Sequence, residues 1–245
     1  MKLHKNLNWY LRLFKFHVRN KHRHLKDFDA TTLPVIDREG TNLDELISSL
    51  NIKVELPFDL KEKLIFWKEN GFVILENVFD PAQLDKFWAE IEDTIENHQK
   101  HSIMSLVHQF NDQKETPIKD VPKEKLHAVG SRLNNYHESS LLGKKIMANK
   151  YLSIFLKAVL DQNLTAFQSL VFKYGSQQGA HQDYPWVTTQ IPSHLAASWI
   201  PLEDVKPGSG TLFYFPGSHK MPKLNFGTGI IYEYEKSLFT PQEFE

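Results

Sequence analysis

The chain of 245 residues contains no cysteine. Disulfides, thiolate metal ligands and cysteine nucleophiles are therefore excluded, and any metal site must be built from His, Asp or Glu. Acidic side chains are missing from residues 1–26, which hold eight Lys or Arg. The remainder then carries 21 basic against 30 acidic residues, a balance of −9, although the whole chain stands at only −1. A near-neutral total gives no reason to expect nucleic acid binding. No apolar run approaches the length of a membrane span, and Arg12 and Lys15 break the amino-terminal apolar stretch that a secretory signal needs. A cytoplasmic location is the expectation. What is present, 41% hydrophobic and 24% charged residues, fits a soluble globular protein with one main domain and a substantial core.

Within residues 1–30, Leu3, Leu7, Tyr10, Leu11, Phe14 and Val18 recur at three- and four-residue steps, with Lys5, Arg12, Lys15 and Arg19 elsewhere around the turn. That pattern predicts a basic amphipathic helix, an arm suited to docking on the acidic remainder or a partner, or to a membrane surface. The cluster His22-Arg23-His24 reads as solvated. Residues 31–57 mix Pro34, Gly40, Asn42 and Pro57 with short apolar runs, a connector with one short helix around Leu43–Leu50. The main domain is expected over 58–245.

A helix is predicted at 59–70, with Leu60, Leu64, Ile65 and Trp67 as its apolar residues and Gly71 as a left-handed stop. The run Phe72-Val73-Ile74-Leu75 then reads as a buried strand. Asp80-Pro81-Ala82-Gln83 has the form of a helix start, followed by Leu84, Phe87, Trp88, Ile91 and Ile95 as a packed face. Residues 98–125 read as a long surface loop, and helices are expected near 138–148 and 150–161. From Thr165 the pattern changes to short strands near 165–174, 178–184, 195–203, 211–216 and 229–234. A helical first half and a β-rich second half predict an α+β fold with a jelly-roll core.

His181 and Asp183 stand two apart in the run His181-Gln182-Asp183-Tyr184-Pro185-Trp186. In a strand they share a face, so an imidazole and a carboxylate can meet one point, and Gln182 turns away. Two His and one carboxylate on one face of iron(II) leave positions open for a cosubstrate and dioxygen. Alone, the spacing equally describes a hydrogen-bonded surface pair.

The surroundings narrow that choice. Gly175 and Gly179 flank a turn before His181; Trp199-Ile200-Pro201-Leu202 follows, then Pro207-Gly208-Ser209-Gly210-Thr211-Leu212 and Phe215-Pro216-Gly217-Ser218-His219-Lys220. This order resembles the phytanoyl-CoA dioxygenase family of iron(II)/2-oxoglutarate enzymes. Upstream, Gly71–Val78 and Asp80–Leu84 look like the opening strand and helix of that family, so the resemblance spans about 60 to 220. It implies a double-stranded β-helix buttressed by helices, with His181 and Asp183 as ligands of Fe(2+). It also implies 2-oxoglutarate as cosubstrate, with ascorbate as an accessory reductant, and hydroxylation of a small organic molecule with release of succinate and CO2. Because Asp183 keeps the carboxylate ligand, hydroxylation is expected over halogenation.

Trp199 matches a family tryptophan beside the cosubstrate; the alternative is plain core. Lys173 is a candidate for a cosubstrate carboxylate, with a solvated strand-end lysine as the alternative. Arg132 and the run Asn134-Asn135-Tyr136-His137 are candidates for the pocket mouth or a helix-flanking surface. Tyr184, Trp186 and Phe213 permit an apolar or ring-bearing substrate. Two rival readings are a non-catalytic binding module of the same family and a cupin-like metal enzyme without 2-oxoglutarate, which would draw more histidines than are found here.

The family pattern has a second histidine on a late strand and an arginine shortly beyond it for 2-oxoglutarate. After His219 this sequence has neither. His219 lies in the Pro-Gly-Ser-His turn, a loop feature in the family, and His194 fits the ligand role no better. The expectation is a truncated version of a longer enzyme, inactive or weak as this chain stands, and the rival is a genuine short protein that keeps the family scaffold without its catalysis. Reading the coding sequence past Glu245 checks it: an in-frame His and Arg support the expectation, and a stop codon with no remnant coding sequence overturns it.

Overall fold

Local rules set most of the helices. Asn42 accepts hydrogen bonds from the amides of Asp44 and Glu45 and starts α1, Leu43–Ser49. Asp59 does the same for Glu62 at the start of α2, Leu60–Asn70, which Gly71 ends in the left-handed conformation, φ 82°. α3, Pro81–Glu96, begins with Asp80 accepting from the Ala82 amide and with proline in its first turn. In the computed structural model, residues 29, 31, 33–107, 110–176, 178, 179, 181, 183, 187, 189, 194–209 and 211–220 are described. The expected basic helix, His22-Arg23-His24 and the strand expected at 229–234 lie outside them.

Residues 98–125 are not a surface loop. They contain β1, Met104–Leu106, β2, Thr116–Pro117, and the start of α4, Lys123–Leu126. Ile103, Val107, Ile118 and Val121 are all buried. Ile103 and Val107 flank the short apolar run of β1, while Ile118 and Val121 stand beside proline and charged residues, and each fills one place in the core. After β3, Arg132–Asn134, the helix expected at 138–148 is two short ones, α5, Tyr136–Ser139, and α6, Leu141–Met147. Ser140, extended at φ −117°, divides them, and its hydroxyl accepts from the Gly143 amide at 2.8 Å. α7, Lys150–Leu160, and β4, Leu170–Phe172, complete the elements.

The four strands form one antiparallel sheet in the order β2-β1-β3-β4. With its helices this is an α+β arrangement. Other expected strands are absent among the described residues: Phe72–Leu75, 195–203 and 211–216 have no ladder partner there, and Ile74 is 65% exposed. Val73 and Leu75 nonetheless pack on a core cluster, so the alternation of side chains survives without the ladder.

Two apolar clusters hold the elements. In the first, Phe87, Ile91 and Ile95 of α3 meet Ile103, Val107, Ile118, Val121, Leu133 and Tyr136, and Ile200 and Leu202 pack against it from downstream. In the second, Leu60 and Leu64 of α2 meet Phe155, Ala158 and Val159 of α7, with the Trp67 and Phe58 rings edge-on to Phe155. Each such side chain contributes about 1.5–3 kcal/mol on burial. Residues 33–38 are tied to α7: Val35 is fully buried and its amide donates to the Val159 carbonyl. Arg38 pairs with Asp161 at 2.7 Å. No helix among the described residues is long and apolar enough to cross a membrane.

Tyr136 joins α3 to the sheet by a buried hydrogen bond between its hydroxyl and that of Thr94, 2.8 Å, with the Glu90 carbonyl and carboxylate at 3.3 Å. Burial pushes its phenol up to about 12 from 10.0, because the phenolate would lose hydration beside Glu90 and Asp93. A folded value above the unfolded one means stability is intact below pH 10 and lost between there and about 12. Tyr136→Phe should remove that loss in alkaline denaturant titrations. At pH 7 it should cost about 1–3 kcal/mol in urea unfolding, because Thr94 is left unpaired.

Candidate metal centre

β4 enters this region. Its last residue, Phe172, pairs with Arg132 across the β3 ladder, and the Gly130 amide donates to the Gly175 carbonyl at 3.3 Å. Sheet hydrogen bonding thus fixes the chain to within six residues of His181. Beyond it, the His181 ring is set by its own turn: Nδ1 lies 2.7 Å from the Gly179 carbonyl. A carbonyl only accepts, so Nδ1 carries the proton and the neutral ring keeps its lone pair on Nε2.

Nε2 faces Asp183, 3.2 Å from Oδ1, and the Asp183 carbonyl accepts from the Val187 amide at 3.0 Å. Two lone-pair atoms at that distance repel unless something positive lies between them. A proton on Nε2 makes the pair a surface ion pair. A divalent cation would make it two of the three protein donors of a metal site, since donors bound at about 2.1 Å and at right angles stand about 3.0 Å apart. Backbone orientation of the distal imidazole nitrogen is the usual support of a histidine ligand. The two side chains therefore fit a cation, and at 36% and 60% exposure they are open to one from solvent. No group of three His, Asp or Glu side chains suited to a metal occurs among the described residues.

The remaining candidates fall in different places. Lys173 is neither solvated nor free: its side chain is 16% exposed and its ammonium lies 3.5 Å from Glu92 Oε1 of α3. Trp199 is 54% exposed, so it is not core, although its neighbour Ile200 is packed. Phe213 is exposed and meets Phe215 edge-on, while Tyr184, Trp186 and Gln182 lie outside the described residues. His219 Nε2 donates to the Lys68 carbonyl at 3.1 Å, and Lys68 is far along the chain from the pair. His194 has a buried Nε2 with no partner among the described residues.

Arg132 does not flank a helix on the surface. It sits in β3, half-buried, and shares a narrow cleft with Lys173, Ser131, Val171 and Ile95. Its Nε donates to Asn134 Oδ1 at 3.1 Å, and Asn134 donates to Glu115 at 2.5 Å. Burial makes the guanidinium less basic than usual, an effect that nearby Glu115 partly offsets, yet it makes no ion pair among the described residues. The alternation Ser131-Arg132-Leu133-Asn134 was the available signal, a short strand with one polar face. The neighbouring Asn135 is left-handed and Tyr136 is buried, while His137 Nδ1 lies 2.7 Å from the Ser169 hydroxyl.

The sequence model of the family described as Phytanoyl-CoA dioxygenase (PhyH) matches residues 67–231, more than half of the chain. This chain belongs to the phytanoyl-CoA dioxygenase family. It is 24% identical over 168 residues to the peroxisomal phytanoyl-CoA dioxygenase of Bos taurus, across 66% of this chain and 48% of that protein. A Caenorhabditis elegans homolog of phytanoyl-CoA dioxygenase domain-containing protein 1 is 26% identical over 193 residues, 66% of this chain and 65% of that one. The Danio rerio phytanoyl-CoA dioxygenase domain-containing protein 1 is 29% identical over 139 residues, 49% and 47% of the two. The chain thus spans about half to two thirds of these relatives. No solved structure matches it. The matched span contains both His181 and Asp183.

Proposed function

We propose that this chain forms part of an iron(II)- and 2-oxoglutarate-dependent hydroxylase acting on a small organic substrate, and that its sheet belongs to a double-stranded β-helix. The observation that carries the reading is the His181–Asp183 pair, whose imidazole is turned by Gly179 so that Nε2 faces the carboxylate at 3.2 Å. Family membership supports the same chemistry. When bound, iron(II) supplies the coupling of 2-oxoglutarate decarboxylation to succinate with the transfer of one oxygen atom of O2 to the substrate.

The chain's own residues do the holding. The Gly179 carbonyl holds the Nδ1 proton, which leaves Nε2 as the nitrogen that would meet a cation. Asp183 contributes negative charge, which lowers the cost of bringing a divalent ion to an imidazole. Arg132 is the better partner for the cosubstrate's far carboxylate, because the Lys173 ammonium is already matched by Glu92. Lys173 then orients the wall of the cleft, and exposed Trp199 is available to lie beside the cosubstrate.

A second reading is a non-catalytic module of the family whose basic arm contacts an acidic membrane surface or partner. The lack of any acidic residue in 1–26 favours it. One set of measurements separates the two. Under the first, the purified chain binds Co(II), and His181→Ala and Asp183→Ala each weaken binding at least about tenfold, the loss that even an outer partner of a ligand causes. Arg132→Gln should weaken 2-oxoglutarate binding roughly 10- to 100-fold, the worth of a hydrogen bond to a charged group. Failure of the wild-type chain both to bind Co(II) and to form succinate with iron(II) sinks the first reading and leaves the second, for which vesicles of anionic lipid are the probe.

A further inference from the structure

The described residues between Ile200 and His219 touch both apolar clusters. Ile200 and Leu202 pack on the first. At the other end, residues 214–219 are fastened to the carboxyl end of α2, which belongs to the second. Three contacts make the fastening: the Gly217 amide donates to the Asn70 carbonyl at 2.9 Å, His219 Nε2 lies 3.1 Å from the Lys68 carbonyl, and the Tyr214 ring lies 5.1 Å from that of Phe72. Lys68 and Asn70 offer carbonyls that a helix leaves unpaired at its end, so this turn satisfies groups that otherwise need water.

Gly71 makes the approach possible. Its φ of 82° is a left-handed position, and a β-carbon there would lie 2.3 Å from His219 Nδ1 and 2.8 Å from the Tyr214 hydroxyl. Both are far inside contact distance, so glycine is required twice, for backbone conformation and for space. The hydrogen bond to a carbonyl places the His219 proton on Nε2, while Nδ1 is buried with no partner among the described residues. A ring so engaged, on α2, has its one donor committed to backbone.

We infer that Gly71 and His219 form a clasp that holds the segment around 200–219 across both clusters. His219 is a positioning residue that acts on the His181–Asp183 pair through this segment and is not a third ligand. The effect on metal rests on the reading proposed above; the clasp itself does not. Its mechanism is tethering at both ends: β4 fixes the chain before the pair and the clasp fixes it after, which lowers the freedom the pair must lose when a cation binds.

The test uses the full chain, metal-free, and follows amide hydrogen exchange at Gly217 and its neighbours in His219→Ala, His219→Gln and Gly71→Ala. His219→Ala and Gly71→Ala should speed exchange at Gly217 about five- to tenfold, while amides of α3 and β3 stay unchanged. His219→Gln, which keeps a side-chain N–H donor, should restore part of the protection. In Co(II) titrations the first two should weaken binding by a few-fold and leave its stoichiometry. Three outcomes overturn the clasp: unchanged exchange at Gly217 in His219→Ala; faster exchange everywhere, which marks a general core role; or loss of all Co(II) binding with exchange unaltered, which marks a ligand. If the wild-type chain binds no Co(II), the metal reading fails separately, and the exchange pattern alone decides the clasp.

Discussion

The β3 ladder is the constraint on which the rest depends. It is the only strand of the described sheet with β4 as a neighbour, and β4 leads directly to His181. On its other side β3 pairs with β1, whose flanks Ile103 and Val107 are buried against α3. Core packing in the first half of the chain is thereby transmitted, through two sets of backbone hydrogen bonds, to the strand that precedes His181. Backbone ladders suit this task because their geometry is indifferent to side-chain change.

Charge placement follows from the same ladder. Arg132 and Lys173 come from adjacent strands and share a cleft, where two like charges would repel. Glu92 on α3 resolves the conflict by matching Lys173, leaving one guanidinium in a partly desolvated setting. Arg132 is accommodated by its hydrogen bond to Asn134 and by the nearby Glu115 carboxylate, so the cleft does not hold two bare cations.

Legibility in the sequence tracked how local each cause was. Asp59 with Gly71, and Asp80 with Pro81, place the ends of α2 and α3 where the spacing predicts them, because capping needs only neighbours. Ser140 is a cap of the same kind, yet it divides a helical pattern that reads as continuous. Ile103, Val107, Ile118 and Val121 lie in a stretch that reads as loop because polar residues and prolines surround its short apolar runs, and their burial comes from partners distant in sequence. For the site, the His181–Asp183 spacing was readable and the Gly179 bond that orients the ring was not. Nor did any pattern mark Lys173 as Glu92's partner, which is a contact between a strand and a helix about 80 residues apart.

Val35 adds a boundary that composition does not mark. With Pro34 and Gly40 nearby, residues 33–38 read as connector, but Val35 is fully buried with its amide bonded to the Val159 carbonyl, and Arg38 ties the carboxyl end of α7 through Asp161. A shortened protein that starts at residue 58 would strip α7 of this cover and leave the Val159 carbonyl without its donor. Any smaller piece made for crystallisation or spectroscopy should therefore begin before Leu33, although the family match starts only at residue 67.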